Sequence, residues 1–433
     1  MKSYRIGIFG LGTVATGVVK ILREQAKTYA KRFNVAFEVV QVVVRDTEKL
    51  RDPKTQDLPI SDDPKSILEN PHIDIVIELI GGVKIAKHII EQALKAGKHV
   101  ITANKDLIAA DGRRLAKLAE ENQVGLYYEA AVAGGIPILR ALSTSLSPDE
   151  IQQINGIMNG TSNFILTQMR QHKLSYEDAL KLAQDKGFAE ADPTNDVQGI
   201  DAAYKLRILT DFAFGKQVSQ NDIQMTGIST ITQTDLKDVS DLGYEIKLLA
   251  TVSKSAANKL QLSVAPTLMP KDHPLASVQN ENNAIFVNSR YSGGLMFYGP
   301  GAGEYATANS VVADLLALVT GSAAPAKFNT HPSSSLALAG PKDRIASRYM
   351  VFKVADRLGI IHKLSAFFLM SNINFRNIRQ YDPVDDSTRV VIITYPASDA
   401  QLNPVKTTIR QARGVSFIHE YKLLVEPKEN SHD

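Results

Sequence analysis

The chain has 433 residues and carries 49 lysines and arginines against 46 aspartates and glutamates, so its formal net charge is only +3. Because the charges form no long basic or acidic run, the composition argues against nucleic acid or a membrane surface as the main partner. No apolar stretch reaches the roughly 20 residues that a membrane span needs, and the first residues enter a strand pattern without a signal peptide, which predicts a cytoplasmic protein.

The chain contains no cysteine. This excludes disulfides, thiolate metal sites and a cysteine nucleophile, and with them any enzyme that oxidises an aldehyde through a thioester. The 9 histidines show no metal-ligand spacing and are expected to be scattered surface or turn residues. The length predicts two to four domains.

The chain opens with a nucleotide-binding pattern. A short apolar strand over residues 4–9 is followed at once by Gly-Leu-Gly-Thr-Val-Ala at 10–15 and then by a helical pattern. The two glycines allow a tight turn and close approach to a pyrophosphate, which the N–H groups at the helix start then hold. Ala15 stands where a third glycine is usual, and alanine is accepted there. The alternative is a glycine turn that binds no ligand.

The second predicted strand, residues 37–44, ends in Arg45 and Asp46. An acidic side chain at this place accepts a hydrogen bond from the ribose 2′-hydroxyl of NAD, whereas an arginine suits the 2′-phosphate of NADP. Arg45 comes first, which favours NADP and leaves NAD open. The alternative for Arg45 is a solvated charge at the end of a strand.

A lysine follows a later strand of the same pattern. Strands predicted over 73–79 and 99–102 flank a helix over 85–96 that ends at Gly97, and Lys105 comes just after the second of them. In open parallel sheets ligands bind at the carboxyl ends of the strands, so Lys105 is expected to point at a cleft. The alternative is a solvent-exposed lysine at a helix start.

The fifth predicted strand, residues 124–129, runs through Glu129 into a segment of small residues and paired glycines that ends at Pro137. Such a backbone can be approached closely, so its carbonyl groups could coordinate a hard cation beside the Glu129 carboxylate. The alternative is a hinge between domains.

Beyond residue 137 the alternation of strand and helix breaks down. After a helix over 138–146, a strand over 151–158 runs into a turn rich in hydroxyls and amides at 159–163. The helix predicted over 164–171 follows this turn, and such a helix start can bind an anionic group such as an α-carboxylate.

The rest of this region predicts a mixed or antiparallel sheet. Its strands are expected at 259–266, 284–287 and 295–298. Glycines at 299–303 then break the pattern, and a helix over about 307–319 is expected to return to the first domain.

The densest group of charged residues lies between 187 and 205 and begins with the run Gly-Phe-Ala-Glu-Ala-Asp-Pro. Asp201 and Lys205 are four residues apart, so they share one face of the helix predicted there, and that face continues with apolar residues. A charged pair at the head of an apolar row indicates the rim of a buried cleft. Asn195 or Asp196 is a good N-cap for this helix. The alternative is an ordinary exposed ion pair.

The last part of the chain differs in kind. Residues 321–344 are rich in serine, alanine, proline and glycine and predict a linker. Residues 345–427 predict strands and helices in the order βαββαβ. The polar tail, 428–433, is expected to be disordered.

Taken together and in this order, these motifs resemble homoserine dehydrogenase. The resemblance covers roughly residues 4–320 and rests on residues 10–14, 102–105, 129–137, 159–161 and 187–205, of which the last set is the most specific. Residues 345–427 resemble an ACT domain, as in the long monofunctional form of the family, with a matching Asp356-x-x-Gly359 turn. The resemblance implies reversible NAD(P)H-dependent reduction of L-aspartate-4-semialdehyde to L-homoserine, on the route to threonine, methionine and isoleucine.

The same resemblance assigns roles to residues. It implies that Lys205 gives a proton to the carbonyl oxygen, that Asp201 orients Lys205, and that Lys105 lies near both nicotinamide and substrate. The substrate-binding residues it implies are Glu190, Thr161, Asp196 and Asp201. The cofactor-binding residues predicted from motif and resemblance are Gly10, Gly12, Thr13, Val14, Arg45, Lys105, Gly301 and Gly303. A monovalent cation, Na⁺ in the first place, would be held by Glu129 and the backbone of Val132, Gly134 and Ile136.

The expected fold class is α/β in three parts. A Rossmann-type parallel sheet takes residues 1–135, an α+β catalytic and dimerisation domain with a mixed or antiparallel sheet takes 136–320, and the ACT domain takes 345–427. The resemblance further implies a homodimer or homotetramer and feedback regulation by an amino acid, with threonine as the first candidate. Two other functions stay open: a dehydrogenase of another small hydroxy or amino acid, and a non-catalytic amino-acid sensor, for which the cleft glycines or the lysine should be missing.

Overall fold

The computed structural model describes residues 1–255, 257–324, 328 and 336–425. Its first sheet has six parallel strands in the spatial order β3-β2-β1-β4-β5-β6. This is the order of a dinucleotide-binding fold, in which the sequence of strands reverses between β1 and β4. The strands are β1 Lys2–Phe9, β2 Val35–Val43, β3 Ile60–Ser61, β4 Ile75–Glu78, β5 His99–Thr102 and β6 Leu126–Tyr127.

Helices cover both faces of this sheet, which is why its strands read as unbroken apolar runs: Ile75, Val76 and Ile77 of β4 are all inaccessible to solvent. The helices are α1 Thr13–Glu24, α2 Ala26–Phe33, α3 Lys65–Leu68, α4 Lys84–Lys95 and α5 Lys105–Glu121. The predicted end of α4 at Gly97 is confirmed, because Gly97 follows the C-cap with a φ of +72°. The fifth strand is shorter than predicted, since Glu129 already lies in a 3₁₀ turn.

The second sheet is antiparallel along its main path, in the order β12-β11-β7-β9-β10. Its strands are β7 Ile151–Ile157, β8 Gln224–Met225, β9 Tyr244–Lys254, β10 Lys259–Pro270, β11 Asn282–Ser289 and β12 Gly293–Pro300. The strand β9 was not predicted from sequence, although its apolar residues Ile246, Leu248, Ala250 and Val252 recur at every second position. In the structure β9 pairs antiparallel with β10 along its whole length, from Tyr244 to Lys254.

The helices that belong with this sheet are α6 Ile138–Arg140, α7 Gly160–His172, α8 Tyr176–Asp185, α9 Thr194–Val197, α10 Ile200–Phe214, α11 Gln233–Asp241 and α12 Glu304–Thr320. The helix predicted over 138–146 is a short α-helical turn followed by a π-helical turn. Helix α11 was not predicted from sequence. The N-cap prediction was wrong: Asn195 and Asp196 lie inside the short helix α9, and Gly199, with a φ of +79°, starts α10 instead. Only glycine takes this left-handed conformation without strain.

Helix α12 returns to the first sheet, as the sequence predicted. It packs on α1 so closely that a Cβ on Gly17 would lie 2.7 Å from the carbonyl oxygen of Glu304. Leu315 and Val311 of α12 share a buried core with α1 and β1. The start of α12 is therefore fixed beside the start of α1.

The C-terminal region has the predicted βαββαβ order. Its strands and helices are β13 Ala337–Leu338, β14 Ile345–Ala346, β15 Arg348–Ala355, α13 Ile360–Leu369, β16 Phe375–Gln380, β17 Ser387–Thr394, β18 Ala397–Ser398, α14 Asp399–Gln411 and β19 Val415–Leu423. The four long strands lie in the order β19-β15-β17-β16 and enclose their own core. This region does not stand alone, because β19 pairs with β10 and makes one continuous sheet with the preceding region.

Three predictions fall wholly or partly outside the described residues, the last two residues of the predicted ACT domain among them. The tail 428–433 is outside them, and so is much of the linker 321–344. The described end of that linker carries β13, which pairs with β10. In the described part of the chain, no helix combines the length and apolarity needed to span a membrane.

Candidate active site

One buried carboxylate holds two lysines. Lys205 Nζ donates to Asp201 Oδ2 at 2.8 Å and to the carbonyl oxygen of Met158 at 2.6 Å, and Lys105 Nζ lies 2.9 Å from Asp201 Oδ1. Lys205 is only 9% exposed, so the alternative of an ordinary exposed ion pair is wrong. Burial alone would raise the pKa of the Asp201 carboxyl, but the charges of Lys205 and Lys105 hold it well below its ordinary value. Asp201 is thus ionised and Lys205 is oriented by two acceptors.

The position of Lys105 follows from the ends of two parallel strands. Glu78 at the end of β4 accepts a hydrogen bond from the Thr102 hydroxyl at the end of β5 at 2.7 Å. Asn104 then caps α5, since its Oδ1 accepts from the N–H of Leu107 at 3.1 Å. Lys105 is the first residue of α5 and its side chain is 37% exposed, so it faces the cleft and is not buried in the sheet.

Asn159 was given no individual role from sequence, yet it organises two acidic side chains. Its Oδ1 accepts from the N–H of Ser162 at 2.8 Å and caps α7, which fixes the amide so that Nδ2 points the other way. That Nδ2 donates to Asp196 Oδ1 at 2.6 Å and to Asp201 Oδ2 at 3.1 Å. Burial raises the pKa of Asp196, the nearby Asp201 raises it further, and the Asn159 hydrogen bond opposes both.

These groups lie in a cavity of about 490 Å³ between the two sheets. Of the residues predicted for substrate, cofactor, catalysis or cation, eight line it: Lys105, Gly134, Thr161, Asp196, Asp201, Lys205, Gly301 and Gly303. The Thr161 hydroxyl donates to the carbonyl oxygen of Phe188 at 2.6 Å and so ties the 187–192 turn to the start of α7. Asn159 and Asn283 also line the cavity, and neither was assigned a function from sequence.

Glu190 is the predicted substrate residue that the structure does not bring to this cavity. Its side chain is exposed and is not part of the lining, while its carbonyl oxygen accepts a hydrogen bond from the Gln184 amide. The sequence spacing Glu190-x-Asp192 could not show that Glu190 points away from the cavity. In a turn, the direction of each side chain depends on the φ and ψ angles of its own residue.

The predicted cofactor residues before position 50 form a separate group at the carboxyl ends of β1 and β2. Gly10 has a φ of +90°, and a Cβ there would lie 2.8 Å from the carbonyl oxygen of Leu79, so both the turn and the close packing require glycine. Gly12 precedes α1 with open space around it. Thr13 and Val14 form the first turn of α1, and Arg45 is exposed just beyond β2. This is an accessible helix start that can hold a pyrophosphate.

The predicted cation segment is tied to α12 by a ring of contacts. The carboxylate of Glu129 accepts from the N–H groups of Leu139 at 2.9 Å and Arg140 at 2.8 Å. The Glu129 N–H donates to Asp314 Oδ2 at 2.9 Å, and the Arg140 guanidinium lies 2.6 Å from Asp314 Oδ1. Burial and the neighbouring Asp314 raise the pKa of Glu129 to about 7. Asp314 and Arg140 were not predicted from sequence, because they meet only when α12 returns.

The backbone of this segment bends sharply beside Glu129. Ala133 and Gly134 both have positive φ, and the Gly134 carbonyl accepts from the Ser310 hydroxyl at 2.7 Å. Two buried carboxylates, Glu129 and Asp314, lie near the single guanidinium of Arg140. The charges of this group would therefore be balanced by one further positive charge. No group of three or more His, Cys, Asp or Glu side chains in metal-binding arrangement occurs in the described ranges. Glu129 and the backbone carbonyl groups of this segment are the oxygen donors that could hold a hard cation.

Comparisons with known proteins cover both halves of this site. Family models described as "Homoserine dehydrogenase, NAD binding domain" and "Homoserine dehydrogenase" match residues 10–129 and 137–316. The homoserine dehydrogenase of Bacillus subtilis (strain 168) is 41% identical over 410 residues, which is 94% of this chain and 94% of the relative.

Solved structures show the same similarity. A homoserine dehydrogenase from Thiobacillus denitrificans has a TM-score of 0.91 at 34% identity and covers 98% of this chain and 99% of its own. A hyperthermophilic archaeal homoserine dehydrogenase in complex with NADPH has a TM-score of 0.62 at 28% identity and covers 73% of this chain and 98% of its own. The similarity therefore extends from the nucleotide-binding sheet through the cavity.

Proposed function

The chain belongs to the homoserine dehydrogenase family and is an NAD(P)-dependent oxidoreductase of amino-acid biosynthesis, and from this premise we propose roles for its residues. Family membership decides against a non-catalytic sensor. The observation that carries the proposed mechanism is the Lys205 ammonium, buried at the wall of the cavity and held by Met158 and Asp201.

Lys205 is the proton donor to the aldehyde oxygen. An ammonium has three N–H donors, and two of them are used by the Met158 carbonyl and the Asp201 carboxylate. The third is available to the substrate carbonyl oxygen, where it stabilises developing negative charge and then supplies the proton. The bound nicotinamide supplies the hydride. Lys105 adds a second positive charge on the other oxygen of Asp201.

L-aspartate-4-semialdehyde carries its carboxylate and its ammonium on the same α-carbon, and the two proposed partners of these groups adjoin each other at Asn159. Thr161 and Gly160 at the start of α7 face an α-carboxylate with free N–H groups. Asp196 faces the α-ammonium. Glu190 joins Asp196 only if the 187–192 turn moves inward over the substrate, so its role stays a prediction. Turnover of L-homoserine against a panel of other small hydroxy and amino acids tests this assignment, and equal rates across the panel would contradict it.

NADP is the proposed cofactor in preference to NAD. Arg45 lies just past β2, where a 2′-phosphate would stand, and Arg51 braces the same loop through the Thr47 carbonyl at 3.1 Å. Asp46 Oδ1 accepts from the N–H groups of Glu48 and Lys49, which leaves only Oδ2 for a ribose hydroxyl. Gly301 and Gly303, which line the cavity, would contact the cofactor from the opposite side.

The proposed cation is Na⁺, held by Glu129 and the carbonyl groups of Val132, Gly134 and Ile136. Bound there, it would fix the segment that joins the nucleotide-binding sheet to the second sheet. It would act on the shape of the cavity and take no part in hydride transfer.

The C-terminal region is proposed to be an ACT domain that binds threonine and lowers activity. Support comes from its βαββαβ order, its strand order and its direct pairing with β10. Because removing β19 would expose the edge of β10, the test uses the full chain: threonine should inhibit it, while valine should not. Absence of inhibition by threonine would contradict the proposal.

A homodimer or homotetramer is proposed as the working assembly. The second sheet ends at β12, whose outer edge is unpaired in the described chain, and Tyr291 and Tyr298 beside it are 68% and 57% exposed. Unpaired edges that carry apolar side chains favour association with a second copy. Light scattering at micromolar concentration gives the mass, and a monomer would exclude this assembly.

A further inference from the structure

We propose that Asn283 binds the carboxamide group of the nicotinamide ring and so fixes which way the ring faces. The inference rests on the proposed function, because it assumes a nicotinamide in this cavity. Asn283 lines the cavity, yet it is only 1% exposed. Its Oδ1 has no hydrogen-bond partner in the part of the chain that the structure describes. A buried amide oxygen without a partner costs stability, and a ligand that donates a hydrogen bond removes this cost.

The backbone that carries Asn283 is held in place before any ligand arrives. The Asn163 amide donates to the carbonyl oxygens of Asn280 at 2.9 Å and Asn282 at 3.2 Å, which fixes the segment leading into β11. A Cβ on Gly160 would lie 2.6 Å from the carbonyl oxygen of Glu281, so the start of α7 is pressed against the same segment. A binding group positioned in this way loses little freedom when the ligand binds.

Asn283 lies between Gly301, which is proposed to contact the cofactor, and Lys205. A Cβ on Gly301 would lie 2.0 Å from Asn283 Nδ2, so the amide lies directly on the Gly301 backbone. On the other side, the pairing of β11 with β7 begins at Ala284 and Ile157, and the next residue, Met158, holds Lys205 through its carbonyl oxygen. The carboxamide is attached to the ring carbon next to the one that carries the hydride. The carboxamide must therefore lie close both to the side of the cavity lined by Gly301 and to Lys205. Asn283 lies close to both.

The chemistry of the site favours the cofactor over the substrate as the partner. The charged groups of the substrate have charged or strongly dipolar partners in Asp196 and the start of α7. A neutral amide offers one acceptor and one donor, which is the complement of the donor and acceptor of a carboxamide. The Asn283 Oδ1 would accept from the carboxamide NH₂ group.

The experiment compares NADP with its 3-acetylpyridine analogue, in which a methyl group replaces the NH₂ group. For the Asn283→Ala enzyme, we expect kcat/KM with NADP to fall by about tenfold or more, and kcat/KM with the analogue to change by less than about threefold. The ratio of the two cofactors is the readout, because it cancels the different redox potentials and any general loss of activity. The Asn283→Asp enzyme keeps an acceptor and should retain more of the preference for NADP than Asn283→Ala.

The control is Asn282→Ala, since Asn282 lies next to Asn283 but outside the cavity lining, with its amide bonded to Gln279. It should leave the cofactor ratio unchanged. If Asn283→Ala does not fold, Asn283→Ser and Asn283→Asp carry the same comparison. Equal losses with both cofactors, or a higher KM for homoserine with an unchanged cofactor ratio, would overturn the proposal for Asn283. Wild-type enzyme that used neither cofactor would instead overturn the proposed function.

Discussion

Lys205 and Asp201 lie one helical turn apart in α10, with Nζ 2.8 Å from Oδ2, and Asp201 uses its other oxygen for Lys105 at 2.9 Å. A single carboxylate thereby sets the orientation of two cations at the cavity wall. The arrangement makes Lys205 the group whose loss should affect the chemical step most directly.

Replacing Lys205 with alanine should lower kcat by about 10² to 10⁴-fold, which is the usual contribution of a positioned proton donor. The KM values for cofactor and homoserine should change little, because Lys205 acts on the oxygen that develops charge. Steady-state kinetics in both directions measure this. Lys181→Ala is the control, since Lys181 is exposed on α8. A Lys205→Ala enzyme with near-normal kcat would exclude the proton-donor role.

Replacing Asn159 with aspartate should lower kcat/KM by about 10²-fold, because a third carboxylate would then face Asp196 and Asp201 and raise their pKa values. The same change keeps the N-cap of α7, so the thermal midpoint should fall little. Asn159→Ser also keeps the cap but lacks the amide donor, and should be intermediate. Equal activity of all three proteins would mean that the Asn159 amide does not organise the two aspartates.

Replacing Arg45 with alanine should lower kcat/KM with NADP by about tenfold or more and leave kcat/KM with NAD within about twofold, since a charged hydrogen bond to the 2′-phosphate is lost. Lys31→Ala, an exposed change on α2, serves as the matched loss of one positive charge. If both cofactors are affected alike, Arg45 does not contact the 2′-phosphate.

The proposed cation predicts a stabilising effect of Na⁺ that depends on Glu129. Exchanging NaCl for choline chloride at constant ionic strength should lower the thermal midpoint of the wild type by roughly 2 to 5 °C, because an ion that binds only the folded state stabilises it. The Glu129→Gln protein should show a much smaller difference between the two salts. A salt effect of the same size in both proteins would place the ion elsewhere.

A buried lysine in β9 gives a dependence of stability on pH. Burial lowers the pKa of Lys247 to about 8, and its Nζ donates to Asn163 Oδ1 at 3.1 Å and to the carbonyl oxygen of Val278. Between pH 8 and its ordinary pKa of 10.5, the unfolded chain carries a proton at this lysine that the folded chain lacks. The free energy of unfolding of the wild type, relative to Lys247→Met, should therefore rise with pH by about 1.4 kcal/mol per unit in this window. Chemical denaturation of both proteins from pH 7 to 10 measures the slope, and a flat difference would contradict it.

The sequence by itself determined the features that depend on short stretches of chain. The strand, glycine turn and helix at the start, the four-residue spacing of Asp201 and Lys205, and the βαββαβ order after residue 345 all follow from local periodicity and turn chemistry. Backbone sterics and side-chain spacing over a few neighbouring residues determine these local features.

Only the tertiary structure decided which distant groups meet. It joined β10 to β19, brought Asp314 to Arg140 from 174 residues away, turned the Asn159 amide toward two aspartates and left Glu190 at the surface. The physical reason is that packing between separate helices and strands selects these contacts, and a contact between residues far apart leaves no period or spacing in the sequence around either of them.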